Sequence, residues 1–232
     1  MTEKIRVTIL DDHPAVVDGY CVQLDKLPQI EVVDKLSYGN ELEPALEKTP
    51  VNVLLLDINV PIAEDDSNPY PVLHIIPKLL QKHPNLDILV ISMFAERSLI
   101  RAVMEAGASG YILKDDQTAI RDLASVVVTI AGGGVYYSKK AYEQLKRVRT
   151  GELSGGPTAR QLQALSLSLA YPNSTTADLA RMMAISNSTV RNLLSGAYLK
   201  LGVNNRAAAL AKARQMGLIT PEPPTMPRNQ VS

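Results

Sequence analysis

Residues 51–57 read VNVLLLD, an almost unbroken apolar run that closes on an aspartate. A strand this apolar has no wet face, which suits a parallel sheet covered on both sides. Similar runs occur at IRVTIL (5–10), IEVVDKL (30–36), DILVIS (87–92) and SGYILK (109–114). Between them, helical stretches fall near 14–27, 40–48, 72–82, 96–106 and 117–131. Strand followed by helix, repeated five times, predicts a five-stranded parallel sheet with helices on both faces. Gly107 and Gly132 are expected to stop two of the helices. No G-x-G-x-x-G follows the first strand, which argues against a dinucleotide site.

Ligands of open parallel sheets bind outside the carboxyl ends of the strands. Asp11 and Asp12 follow the first strand, Asp57 closes the third, Ser92 the fourth and Lys114 the fifth. The topology therefore predicts one crevice holding three carboxylates, a hydroxyl and an ammonium. Adjacent carboxylates repel unless a cation sits among them, and hard oxygen ligands suit Mg²⁺, with Mn²⁺ as a substitute. A lysine opposite would neutralise a phosphoryl group and a serine would donate to it. Such a set fits an aspartate that accepts a phosphoryl group by nucleophilic attack.

Net charge is zero, yet residues 1–150 carry −5 and residues 151–232 carry +5, so only the second part is expected to meet a polyanion. The single cysteine, Cys21, excludes an intrachain disulfide and reads as a small buried thiol in a helix. The start of the chain lacks a signal-peptide pattern, and no segment reaches the roughly 20 apolar residues of a membrane helix. A cytoplasmic protein without membrane contact is the expectation. His13, His74 and His83 are read as structural histidines.

A helical connector and a linker ending in TGELSGGP occupy 139–157, and about 60 residues of helical periodicity follow. Thr175 is expected to cap a scaffold helix with Asp178 three residues on, burying Leu179, Ala180, Met183 and Ile185. Ser186 is expected to cap a second helix whose apolar face is Val190, Leu193, Leu194, Ala197 and Leu201. Its opposite face offers Asn187, Ser188, Arg191, Asn192 and Ser195, side chains suited to base edges and phosphates. Arg160, Arg181, Lys200 and Arg206 are candidate contacts to backbone phosphates. Gly196 interrupts this helix at a cost of about 1 kcal/mol relative to alanine. The final TPEPPTMPRNQVS, rich in proline, reads as a disordered tail from 220 to 232.

The motifs ILDDHP, LLLDINVP, VISM and GASGYILKD resemble the receiver domains of NarL/FixJ-type two-component response regulators over about residues 4–138. The segment from Ser174 to Ile219 resembles the LuxR-type helix-turn-helix. The resemblance implies a flavodoxin-like receiver over 1–138 and a small all-α DNA-binding domain over 158–219. It makes Asp57 the phosphoacceptor, with Asp12, Asp57 and the backbone carbonyl of Asn59 on Mg²⁺ and Asp11 supporting the metal through water. Lys114 would pair with the phosphoryl group, Ser92 would be the switch hydroxyl, and Tyr111 the aromatic that changes rotamer. A sensor histidine kinase, double-stranded DNA and a second copy of the chain are the implied partners, the last helix (204–216) being a candidate dimer surface. No catalysis is implied beyond slow autodephosphorylation.

Three departures from that pattern stand out. IAEDDSNPYP (62–71) replaces a short turn and reads as an exposed insertion or as an altered kinase-docking surface. PTARQLQAL lacks the proline and glutamates with which the helix-turn-helix domain usually opens, and Leu193 and Ser195 replace a histidine and an often basic residue. Two alternatives follow. One is a receiver-regulated protein-interaction module without sequence-specific DNA binding. The other is a phosphatase of the haloacid-dehalogenase type, disfavoured because Asn59 stands where a second acid is needed.

Overall fold

The computed structural model describes residues 4–146, 156–203 and 205–220. The first part alternates β1 (Ile5–Leu10), α1 (Pro14–Leu24), β2 (Ile30–Leu36), α2 (Leu42–Lys48) and β3 (Val53–Leu56). A hairpin of β4 (Pro61–Ala63) and β5 (Asp66–Pro69) comes next, then α3 (Val72–Lys82) and β6 (Asp87–Ser92). The chain continues through α4 (Arg97–Glu105), β7 (Gly110–Leu113), α5 (Gln117–Arg121), α6 (Leu123–Ala131), β8 (Tyr136–Tyr137) and α7 (Lys139–Lys146). Four helices complete the described residues: α8 (Ala159–Ala170), α9 (Thr176–Met183), α10 (Asn187–Leu201) and α11 (Arg206–Gln215).

The main sheet is parallel, in the order β2-β1-β3-β6-β7-β8. Five of its strands match the expected ones. The sixth, Tyr136–Tyr137, adds to the edge beside Gly110 and Tyr111. Alternation within the buried strands divides the core. Leu54, Leu56, Ile88 and Val90 face one layer of helices, while Val53, Leu55, Leu89 and Ile91 face the other. Gly107 ends α4 with φ +111°, a conformation that suits glycine. After α6 the left-handed residue is Gly133 (φ +82°), one past the expected stop at Gly132. The stretch 117–131 is two helices, broken at Asp122.

The insertion is not a loose loop. It folds as the antiparallel β4–β5 hairpin, and Tyr70, just after β5, is buried with its ring against Gly39. This hairpin and α3 pack on α8, joining the α/β part to the helical part. Gln163 on α8 donates from Nε2 to His74 Nδ1 on α3 at 3.1 Å, across 89 residues of chain. A second contact lies nearby, where Glu96 presses on Gly217 after α11. At φ +64°, Gly217 occupies a conformation that suits glycine, and a Cβ there would meet the Glu96 side chain.

Residues 147–155 and 221–232, which include most of the expected linker and almost all of the tail, lie outside the described residues. Cys21 is half-buried and unbridged.

Candidate functional site

Strand register builds the pocket. Leu10 pairs with Leu56, so Asp11 and Asp57 leave the sheet side by side, and Asp57 N–H donates to the Leu10 carbonyl at 2.9 Å. Ser92 pairs with Leu113, and Lys114 N–H donates to the Ser92 carbonyl at 2.8 Å. Lys114 Nζ then reaches back across the strand ends to Asp11 Oδ2 at 2.6 Å and Asp57 Oδ2 at 2.9 Å. All three side chains are largely withdrawn from water, which strengthens their mutual attraction.

Burial pushes the Asp57 carboxyl above its ordinary range; the Lys114 charge pulls it down, but burial and the neighbouring Asp11 outweigh that pull. Burial draws the Lys114 ammonium the other way, yet Asp57 and Asp11 together hold it above its usual value. The ammonium therefore stays charged at neutral pH and offsets one of the clustered carboxylates. Asp57 Oδ1 accepts from Asn59 N–H at 3.3 Å, and Asp11 Oδ1 from His13 N–H at 3.0 Å, which orients both carboxylates.

Oxygen or nitrogen atoms of Asp11, Asp12, His13 and Asp57 lie within 4.8 Å of one another. Asp12 Oδ1 is buried; His13 Nδ1 comes within 2.8 Å of it, but no donor is aligned with it. A buried acceptor without an aligned donor, among carboxylates, fits a hard divalent cation such as Mg²⁺. His13, exposed, pairs with Asp12 at the rim of the pocket.

Ser92 is fully buried, its Oγ accepting from Phe94 N–H at 3.3 Å. Tyr111 is also fully buried and donates from its hydroxyl to the Phe94 carbonyl at 2.7 Å, so its ring is turned inward. The site thus gathers Asp11, Asp12, Asp57 and Lys114 directly, with Ser92 and Tyr111 joined through the loop after β6. Sequence reasoning passed over Tyr20 on α1. Burial, then the charges of Asp11 and Asp57, push its phenol upward, so it faces the pocket as a neutral group. An aromatic on the first helix carries no local signature of that placement.

In the helical part, Thr175 Oγ1 accepts from Asp178 N–H and the Asp178 carboxylate accepts from Thr175 N–H, a reciprocal cap. Ser186 Oγ accepts from Thr189 N–H at 3.1 Å, as expected for the start of α10. Val190, Leu194, Ala197 and Leu201 are buried, while Leu193 and Ile185 are only partly so. Thr158 and Gln161 form another reciprocal cap at α8, so glutamine does here what a glutamate could. A Cβ on Gly196 would stand 2.5 Å from Gln161 Nε2, the end of the side chain that caps α8, so this glycine faces α8.

Two candidate phosphate contacts have other roles. Arg206 donates to the carbonyls of Ser174 at 2.7 Å, Ser168 at 3.0 Å and Tyr171 at 3.2 Å, stitching the end of α8 and the loop after it to α11. Arg160 donates to Gln163 Oε1 at 2.6 Å, at the seam with α3. Arg181 is exposed and pairs with Asp178, and Lys200 is exposed. The side chains of Asn187, Ser188, Arg191, Asn192 and Ser195 lie outside the described residues, although their backbone is helical.

Comparison with known proteins places this geometry among relatives. The family described as the response regulator receiver domain matches residues 7–125. The chain is 30% identical over 223 residues to the transcriptional regulatory protein MctR of Rhizobium johnstonii, covering 95% of this chain and 99% of that one. It is 27% identical over 237 residues to the transcriptional regulatory protein DegU of Brevibacillus brevis, covering 93% and 95%. The fold is similar to that of RcsB from Salmonella enterica serovar Typhimurium, solved on the promoter rprA with the phosphomimetic BeF3⁻. That match has a TM-score of 0.63 and 22% identity, over 90% of this chain and 98% of that one.

Proposed function

The chain belongs to the response regulator receiver family, and from that premise we propose that it is a phosphorylation-controlled, DNA-binding transcription regulator. Asp57 accepts a phosphoryl group from a sensor histidine kinase, and the helical part over 158–219 carries the output to double-stranded DNA. The observation that carries this reading is the placement of Asp57 beside Asp11 and under Lys114, at aligned strand ends.

Asp57 Oδ1 or Oδ2 attacks the phosphorus, the phosphorus–nitrogen bond of the donor breaks, and the leaving imidazole keeps its electron pair and takes a proton. Asp11, Asp12, Asp57 and the Asn59 carbonyl would hold Mg²⁺ (or Mn²⁺), which when bound screens the approach of two anions. Lys114 already spans Asp11 and Asp57 and can shift its ammonium to the phosphoryl oxygens. Ser92 would donate to the same group, giving up its contact with Phe94. That movement leads away from the pocket by a short path. Phe94 holds Tyr111, and two residues later Glu96 presses on Gly217 of the helical part. Phosphorylation would thus loosen the two parts and let copies of the helical part pair on two half-sites, with the α11 region as the dimer surface.

Among the described residues no helix is long and apolar enough to cross a membrane. Cytoplasmic action, stoichiometric rather than catalytic, fits the proposal. The test is a gel shift of genomic fragments with the full chain, with and without acetyl phosphate and Mg²⁺. Shifted fragments that require Asp57 support the reading. A receiver that is phosphorylated yet never shifts DNA would favour the protein-interaction alternative.

A further inference from the structure

His74 is 4% exposed and sits where α3 meets α8. Gln163 is the hinge of its hydrogen bonding. Arg160 Nη1 donates to Gln163 Oε1 at 2.6 Å, and a guanidinium can only donate, so the amide oxygen must face Arg160. The amide nitrogen then points at His74 Nδ1, 3.1 Å away, and donates to it. His74 therefore holds its proton on Nε2, which is buried without a protein partner. A second proton, on Nδ1, would set N–H against N–H. Turning the amide over would set its nitrogen against Arg160 instead. While Arg160 stays on Gln163, the charged imidazole finds no acceptor in this triad.

We propose that Arg160, Gln163 and His74 form an acid-sensitive latch between the α/β part and the helical part, closed with neutral His74 and released when His74 is protonated. The latch rests on the reading that these parts separate to act, and adds a second input to phosphorylation. The hairpin supports it, since β5 packs on α8 beside the triad. The charges reaching His74 are Lys78 on its own helix and Arg160 on α8, and both oppose a further positive charge. Of the carboxylates on the elements that pack on α8, Asp66 accepts from Asn68 N–H and Nδ2 at 3.0 and 2.8 Å, while Glu96 keeps one buried oxygen without a hydrogen-bond partner; neither is among the charges that reach His74. Burial first, then these two cations, push the closed-state imidazole down to about 4. An imidazole in water titrates near ~6.5, so the open form binds the proton more tightly. Closure is complete above that value and is lost as the pH falls between the two.

The test uses the full chain with Cys21→Ser and one dye each on Lys26→Cys and Gln215→Cys, reading interdomain energy transfer from pH 7.5 to 5.5. The open-to-closed ratio should rise about tenfold by pH 5.5. His74→Asn, whose Oδ1 takes the place of Nδ1 as acceptor and which cannot titrate, should stay closed throughout. Gln163→Glu, which offers acceptors to both Arg160 and protonated His74, should close more firmly on acidification. A wild-type chain open at pH 7.5, no response to acid, or the same response in His74→Asn would overturn the latch. Acetyl phosphate labelling of Asp57 in the same samples reads the phosphoacceptor separately, so failure of one does not hide the other.

Discussion

Lys114 Nζ stands 2.9 Å from Asp57 Oδ2, joining two residues that are 57 positions apart in the chain and on strands separated by β6. The contact places a buried cation on the carboxylate proposed to react. It also means that Lys114 serves the unmodified protein by neutralising Asp11 and Asp57.

Removing that ammonium leaves two buried carboxylates facing each other. Lys114→Ala should destabilise the α/β part by about 3 kcal/mol without divalent cation. Mg²⁺ should recover more of the loss in the variant than it adds to the wild type. Thermal denaturation with and without Mg²⁺ checks this. With Mg²⁺ present the variant should still accept a phosphoryl group but fail to change oligomeric state in light scattering.

Arg206→Ala is expected to cost about 2 kcal/mol or more, because three carbonyls lose a charged donor. Arg206→Lys should recover only part, since an ammonium lacks the guanidinium's fork. Denaturant unfolding of the chain measures the loss. A residue serving only as a phosphate contact would instead leave stability unchanged and reduce the salt slope of DNA binding.

The difference between these two arginine roles shows where sequence reading stops. A guanidinium at the start of an amphipathic helix looks the same whether it meets phosphates or the chain's own carbonyls. The pocket was legible because each fully buried strand is a plain apolar run, and each run ends on the residue that matters: Leu56 before Asp57, Leu113 before Lys114. Caps were legible for a similar reason, Thr175 and Asp178 being three residues apart. Tyr136–Tyr137 was not, because two residues cannot display a period of two. The β4–β5 hairpin, with prolines at both ends and three acids near its turn, has no strand alternation to read. His74 and Gln163 meet only through the docking of two parts, which nothing local encodes.

Thr175→Ala should weaken α9 by about 1 kcal/mol through loss of its cap. Bonds from the Thr175 hydroxyl and backbone, then Arg181, hold the Asp178 carboxyl down at about 2. Being lowered in the folded chain, this group supports the helix above its unfolded value near ~3.9, and that support fades as pH falls toward 2. Helicity followed by circular dichroism during acid titration should show an earlier loss in Thr175→Ala than in the wild type.

Arg191→Ala should lower specific DNA binding by about 1–3 kcal/mol and relax the sequence preference if the arginine reads a guanine edge. Affinity for cognate and scrambled duplexes at several salt concentrations distinguishes this from a phosphate contact, which would weaken both alike.

The central claim is that Asp57 alone carries the phosphoryl group, because it is the carboxylate at the end of β3 held under Lys114 beside Asp11. Intact-mass spectrometry after incubation with acetyl phosphate and Mg²⁺ tests it most directly. The wild-type chain should gain the mass of one phosphoryl group and Asp57→Asn should gain none. A mass gain that persists in Asp57→Asn would contradict the account.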